Sequence, residues 1–459
     1  MRHTFREESV IFYSVIKWVA IATAIGIIVG ISTTAFLKAL AWSTGKTSGH
    51  SYYYLLIPVA FVVSTLTIRK LAPDAEGHGT EKVIEAVHKY SGRIKFMVVP
   101  VKLVATIITI AAGGSAGKEG PCAQIGGGLA SLIADVFRFS DEDRKKVVIC
   151  GISAGFASVF GTPLSGAIFG VEVLFVGSLL YEVLLPSFIA GITSYQVSSA
   201  LGVTYFYHPL KFVPVFSEAF FLKMLLAGVF FGLVSMVLIE LLRGGKVLFE
   251  RIKIWWPLKV AAGGLALVAI GLLLTDKYLG LGLETIQSCL QGVGADWYAF
   301  LVKSVTTSLT LNFGGSGGIV TPIFFVGSTS GSLFARLLSL DPGTFAAIGM
   351  VSLLAGASNT PIAASIMAVE LFGPAIAPYS TVACVVSFLM TGHRSVYPSQ
   401  ILAVRKSPRV NVELGAVLDA VKPEVKERHT LLTTFRRRLR AFGFNSRKDH
   451  QARSRRGKK

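Results

Sequence analysis

The sequence predicts an all-α protein that crosses a membrane many times and is built from two homologous halves. Three observations predict it. Of 459 residues, 52% are hydrophobic and only 15% charged, with a mean hydropathy of +0.62; soluble chains carry about a quarter charged residues. Apolar runs such as Val15–Leu37, Leu222–Leu242 and Val260–Leu274 approach or reach the roughly 20 residues that a spanning helix needs. A long glycine-rich stretch then recurs in register in the second half of the chain.

Glycine fills 47 positions without a Gly-X-Y period. In helical membrane proteins it permits close helix approach and irregular backbone around cavities. The four cysteines, Cys122, Cys150, Cys289 and Cys384, lie scattered in apolar segments without CxxC or Cys/His ligand spacing. Neither a metal site nor a disulfide is indicated, and no cofactor is expected. The net charge of +19 is concentrated after Arg405. A basic tail can bind nucleic acid, but in a membrane protein the positive-inside rule accounts for it, with anionic lipid as neighbour. No A-x-A cleavage site follows the first apolar run, so no removed signal peptide is expected.

Basic residues also cluster in Arg69–Lys95 and Arg243–Lys259, whereas Gly202–Pro214 and Asp276–Asp296 are poorer in them. That asymmetry places the first pair of loops, and both termini, in the cytosol. The expected division is a cytosolic segment over 1–16, membrane repeats over 17–209 and 216–404, and a basic cytosolic tail over 405–459.

The repeat is the most informative feature. Val101-Lys102 recurs as Val302-Lys303, Thr106 and Thr109 as Thr307 and Thr310, and Gly113-Gly114-Ser115 as Gly314-Gly315-Ser316. Pro121 matches Pro322 at the same offset of 201 residues. After a three-residue gap, Thr162-Pro163 pairs with Thr360-Pro361 and Val171-Glu172 with Val369-Glu370. Transporters built from repeats place their ion site where the repeats meet, near the bilayer midplane.

Each copy is an apolar segment, a glycine cluster and a helix opening near proline: Gly113 to Pro121 in the first, Gly314 to Pro322 in the second. Proline suits a first helical turn, where its missing N–H has no partner anyway. Such breaks at hydrophobic depth are tolerated where they line a cavity. A helix N-terminus carries roughly half a positive charge and free N–H donors, so converging termini can hold an anion weakly enough to release it. The competing reading is that the glycines serve helix packing alone. Glu119 is the most telling residue, because a carboxylate in an apolar segment is expensive and usually functional. At a helix N-terminus it can occupy the anion's place, and on protonation it loses that attraction and can swing away. The competing reading is a structural Lys118–Glu119 ion pair.

With these motifs in order, the chain resembles the CLC family of chloride channels and chloride/proton antiporters, in its form without C-terminal regulatory domains. Gly117-Lys118-Glu119-Gly120-Pro121 resembles the gating-glutamate motif. Gly318-Ile319-Val320-Thr321-Pro322 resembles the second motif, Gly77-His78-Gly79-Thr80-Glu81 stands where the first would fall, and Tyr397 matches the tyrosine of the last membrane helix. The resemblance covers nearly the whole membrane region. It implies inverted-topology repeats of short, tilted and re-entrant helices, a homodimer, and one anion pathway per subunit. It also implies a chloride held by the Ile319 and Val320 amides and the Tyr397 hydroxyl, with His78 and Gly79 alongside and Glu119 as gate. Gly117, Lys118, Gly120, Pro121, Gly318 and Pro322 would support these.

Three departures matter. His78 replaces the usual serine, which opens the preference to nitrate, bicarbonate or fluoride. Val320 replaces the usual phenylalanine. Val173 stands where exchangers of the family often carry an inward glutamate that feeds protons to the gate, and an aliphatic side chain relays none. Glu172 is adjacent, but helical neighbours face about 100° apart, and its repeat counterpart Glu370 suggests a structural role for both. These residues favour a passive chloride channel gated by Glu119, with a chloride/proton antiporter as the alternative. An intramembrane enzyme is disfavoured, since no HExxH, GxSxG or paired catalytic carboxylates occur.

Overall fold

A computed structural model describes residues 2–205, 207–208 and 218–425, with side chains from residue 7 onward. Sixteen α-helices occupy these residues, eight in each half. The first eight are α1 (Arg2–Ser48), α2 (Ile57–Leu71), α3 (Thr80–Lys89), α4 (Val98–Ala111), α5 (Glu119–Val136), α6 (Asp141–Phe160), α7 (Pro163–Glu172) and α8 (Tyr181–Ala200). The second eight are α9 (Glu218–Arg251), α10 (Trp256–Leu273), α11 (Leu283–Leu290), α12 (Ala299–Asn312), α13 (Val320–Leu337), α14 (Pro342–Ser358), α15 (Pro361–Phe372) and α16 (Ala377–Met390). The halves correspond helix by helix. α5 and α13 begin at Glu119 and Val320, α6 and α14 at Asp141 and Pro342, and α7 and α15 at Pro163 and Pro361.

Local chemistry sets these boundaries. Ser140 caps α6 by accepting from the Asp143 amide at 3.2 Å, and Asp341 caps α14 by accepting from Thr344 at 2.7 Å. Unpaired N–H groups of a first turn favour such oxygens. Four helical spans, Glu7–Ser48, Tyr53–Leu71, Glu218–Arg251 and Trp256–Leu273, are long and apolar enough to cross a membrane. The three apolar runs read from the sequence fall on α1, α9 and the α10 region. Large apolar side chains on these helices, such as Leu222 and Leu265, are exposed, forming the surface a bilayer covers. The remaining helices run from 20 residues in α6 and α8 down to 10 in α3 and α7 and 8 in α11.

The two halves are related by a two-fold arrangement that runs equivalent helices in opposite directions. Glu172, at the end of α7, accepts from the Ile362 and Ala363 amides at the start of α15, at 3.1 and 2.8 Å. Glu370, near the end of α15, accepts from Leu164 and Ser165 at the start of α7, at 3.0 and 2.8 Å. Each helix therefore begins where its counterpart ends, the geometry of inverted repeats. Both carboxylates are helix caps, the structural role their repetition suggested. Glycines bring backbones together in the same symmetric way: α5 meets α6 at Gly126 and Gly151, and α13 meets α14 at Gly327 and Gly349.

Residues 2–16 form the first part of α1, continuous with its apolar run. The start of the tail is folded onto the membrane region. Strand β1 (Phe175–Val176), just after α7, pairs in parallel with β2 (Ile401–Leu402), and β3 (Val410–Asn411) pairs antiparallel with β4 (Glu424–Val425). The Leu418 and Asp419 amides donate to the Gln400 and Pro398 carbonyls at 2.9 and 3.2 Å. The rest of the basic tail, from residue 426, lies outside the described residues, as does the junction at 209–217.

Glu370→Ala should strip two charge-assisted caps from α7. The expected loss is about 2 kcal/mol, read as a lower midpoint in thermal unfolding of the detergent-solubilised protein, with a smaller loss for Glu370→Gln.

Candidate anion-binding site

The site forms where three helix N-termini meet. In each repeat the chain leaves its apolar helix through a left-handed glycine, Gly113 at φ 102° and Gly314 at φ 95°, a conformation other residues rarely adopt. Gly117 and Gly318, equivalent residues of the two repeats, then exchange backbone hydrogen bonds at 2.7 and 2.6 Å. A residue bonded to its own counterpart places the two-fold axis there. α5 and α13 open immediately afterwards, with Pro121 and Pro322 in their first turns.

α3 adds the third terminus. His78 bridges to Gly317 in parallel, and Gly79 caps α3. A Cβ on Gly79 would strike the Gly120 carbonyl, and one on Gly120 would lie 3.0 Å from the Gly318 Cα. The glycines of all three motifs are thus contact points between backbones. Lys102 fixes the loop before them by donating to the carbonyls of Ala75, at 3.2 Å, and Gly77. Its repeat counterpart Lys303 holds Tyr278 and Gly280 at 3.2 and 2.8 Å.

Glu119 crosses from the start of α5 to the start of α13. Its carboxylate accepts from the Thr321 amide at 3.1 Å and the Thr321 hydroxyl at 2.5 Å, and the residue is 3% exposed. A negative oxygen pair therefore sits on a helix N-terminus, where unpaired donors and the helix dipole favour it. Lys118 precedes α5 and is half-buried; among the described residues no ion pair joins it to Glu119. Ile319 caps α13 and Val320 is its first residue, both fully buried, so their amides belong to the turn that faces the carboxylate.

On the other side of the junction lies a group of buried polar atoms. The Tyr397 ring is fully buried, and the His78 ring lies 6.3 Å from it, tilted by 59°. Among the described residues, His78 Nδ1, Thr80 Oγ1 and the Tyr397 hydroxyl meet no hydrogen-bond partner of good geometry. Buried polar atoms are rarely left unpaired, and a cluster of potential donors around one point suits a small anion. Val173 is buried at the end of α7, and its carbonyl accepts from Gln400 Nε2 at 2.8 Å. Both oxygens of the neighbouring Glu172 are taken up in capping α15.

The structure brings together His78, Gly79, Gly117, Glu119, Gly120, Gly318, Ile319 and Val320 around the helix termini, with Tyr397 against His78. It adds Thr321 and Thr80, which the sequence reading passed over although both lie inside the quoted motifs. Neither carries a distinguishing signal in the sequence, since a threonine directly before a first-turn proline also opens α7 and α15 at Thr162-Pro163 and Thr360-Pro361.

Residues 59–392 match the sequence profile described as voltage gated chloride channel. The chain belongs to the CLC family. It is 36% identical over 401 residues to a chloride/fluoride channel protein of Pseudomonas syringae pv. tomato, covering 86% of this chain and 88% of that one. It is 29% identical over 392 residues to the H(+)/Cl(-) exchange transporter ClcA of Salmonella newport, covering 76% and 80%. Among solved structures, a CLC-type fluoride/proton antiporter superposes with a TM-score of 0.81 at 29% identity, over 84% of this chain and 98% of that one. A slow cyanobacterial Cl-/H+ antiporter shares the fold, with a TM-score of 0.70 at 20% identity over 82% and 94%.

Within this CLC fold, Thr321→Val should remove one of the two donors that hold Glu119 and keep the amide. Docking weakens by about 1.5 kcal/mol, so anion flux at neutral pH rises roughly tenfold, measured as efflux from liposomes.

Proposed function

We propose that this CLC protein is a proton-coupled anion antiporter, the second of the two readings its sequence left open. The observation that carries it is the Glu119 carboxylate lying on the first turn of α13, bonded to Thr321. There it takes the place of a transported anion. As a carboxylate it competes with the anion for the same donors. Once protonated it holds neither charge nor affinity for the helix terminus and yields the berth. Anion entry and proton binding at Glu119 are then two sides of one exchange. The passive-channel reading rested on Val173. The names of the relatives and structural neighbours, several of them exchangers or antiporters, favour coupling.

The cargo is a small halide, with fluoride transported as well as chloride. His78, Thr80 and Tyr397 put one N–H and two O–H groups near one another, and fluoride is the strongest hydrogen-bond acceptor among halides. The first relative above and the first structural neighbour carry fluoride in their names. Ile319 and Val320 supply the amides on the Glu119 side. The protein works as an integral membrane homodimer with one pathway per subunit and both termini in the cytosol, as the loop charges indicate. It is a transporter and not an enzyme, with no nucleic-acid partner.

In liposomes loaded with fluoride or chloride, outward anion flow through the wild-type protein should drive protons inward against their gradient. Anion flow with no accompanying proton uptake would refute antiport. Glu119→Gln should abolish proton movement and the pH dependence of anion flux together; a pH response surviving in that variant would remove Glu119 from the mechanism.

A further inference from the structure

The antiport reading leaves one question open, namely how protons reach Glu119 from the inner side when Val173 offers no carboxylate. Glu81 is a buried carboxyl that nothing so far uses. It lies in the first turn of α3, and one of its oxygens, Oε1, accepts both from the Ser399 amide at 3.0 Å and from the Ser399 hydroxyl at 2.5 Å. The other oxygen, Oε2, is buried without any partner. A residue whose only task was to tie α3 to Ser399 would need a single acceptor. Leaving a second carboxylate oxygen buried and unbonded is unfavourable.

Its surroundings give that oxygen a purpose. Glu81 follows Thr80, whose buried hydroxyl also lacks a partner and lies next to the Tyr397 hydroxyl. Tyr397 lies within electrostatic reach of both Glu81 and Glu119. The titratable groups acting on Glu81 are Lys82, Glu85 and Lys89 of its own helix and Tyr397 of the last segment. Lys102 of α4 and Lys246 of α9 act on the neighbouring His78. Outward from Glu81, α3 carries the half-exposed ion pairs of Glu85 with Lys82 and Lys89, at 3.1 and 3.0 Å. That helix belongs to the basic stretch assigned to the cytosol, so Glu81, a residue of intermediate exposure whose free oxygen is buried, lies next to the cytosolic end of the helix that carries these exposed pairs.

We propose that Glu81 is the inner proton-loading carboxyl of this transporter. Neutral Glu81 releases its proton along the Thr80 and Tyr397 hydroxyls, and water between them, to the Glu119 carboxylate. Glu119 becomes neutral and leaves α13, and the Glu81 carboxylate takes a new proton from the cytosol. One proton moves per cycle: each relaying hydroxyl or water takes up one proton and passes on another, so none is changed at the end, and Glu119 gives up its bonds to Thr321 as it leaves. This rests on the antiport reading.

The test compares wild type, Glu81→Gln, Glu81→Asp and Ser399→Ala in liposomes, with anion and proton fluxes recorded together. The expected result is that Glu81→Gln still passes fluoride or chloride while its proton movement falls to that of empty liposomes. Glu81→Asp, which keeps a carboxyl, and Ser399→Ala, which removes one of the two donors of the tie and keeps the amide, should both retain proton movement. Proton movement at wild-type stoichiometry in Glu81→Gln would overturn the proposal. So would equal loss of both fluxes in Glu81→Gln and Ser399→Ala, which would make Glu81 a structural tie. Absence of uphill proton movement in the wild type would instead refute antiport, and this proposal with it.

Discussion

The exchange of backbone hydrogen bonds between Gly117 and Gly318, at 2.7 and 2.6 Å, is the constraint on which the rest depends. It joins the two interrupted helices head to head on their symmetry axis. The backbone donors that open α5 and α13 are held in position by that joint. A side chain larger than hydrogen at either residue would push α5 and α13 apart, because the Gly318 Cβ position is filled by the Gly120 amide. The helices are broken at hydrophobic depth, and the free backbone groups this creates are tolerable because they face one another and the site instead of lipid.

That joint also explains how an acidic residue survives deep in the protein. Glu119 does not depend on a counter-ion; two donors of Thr321 and the dipole of α13 hold it. Partial charges of this kind can hold an anion without trapping it, since they add up to less than a full charge. In the proposed exchange, carboxylate and halide are alternatives for one electrostatic niche, and protonation decides between them. The other side of the junction is built differently, from side-chain hydroxyls and an imidazole.

Much of this was legible in the sequence, because the repeat marks equivalent positions. The offset of 201 residues from Pro121 to Pro322 located both helix breaks, and Glu119 stood out as a charge in an apolar run. The pairing of Glu172 with Glu370 was legible as structural for the same reason, although which amides they cap was not. Residues that act through distant partners left less trace. Thr321 is visible as a site residue only once Glu119 is seen crossing from another helix, and Glu81 only once Ser399, 318 residues away, is beside it. The folding of residues 401–425 back onto the last membrane segment also escaped notice, because two-residue strands carry no periodic signal.

The mutual capping of α7 and α15 has a consequence for biogenesis. A chain emerging from the ribosome completes α7 well before Glu370 exists, so the Leu164 and Ser165 amides have no protein acceptor for nearly half the length of the polypeptide. The first half cannot reach its final packing alone, and the second requires Glu172 from the first in the same way. Both sets of amides therefore find their carboxylate only when the two halves meet.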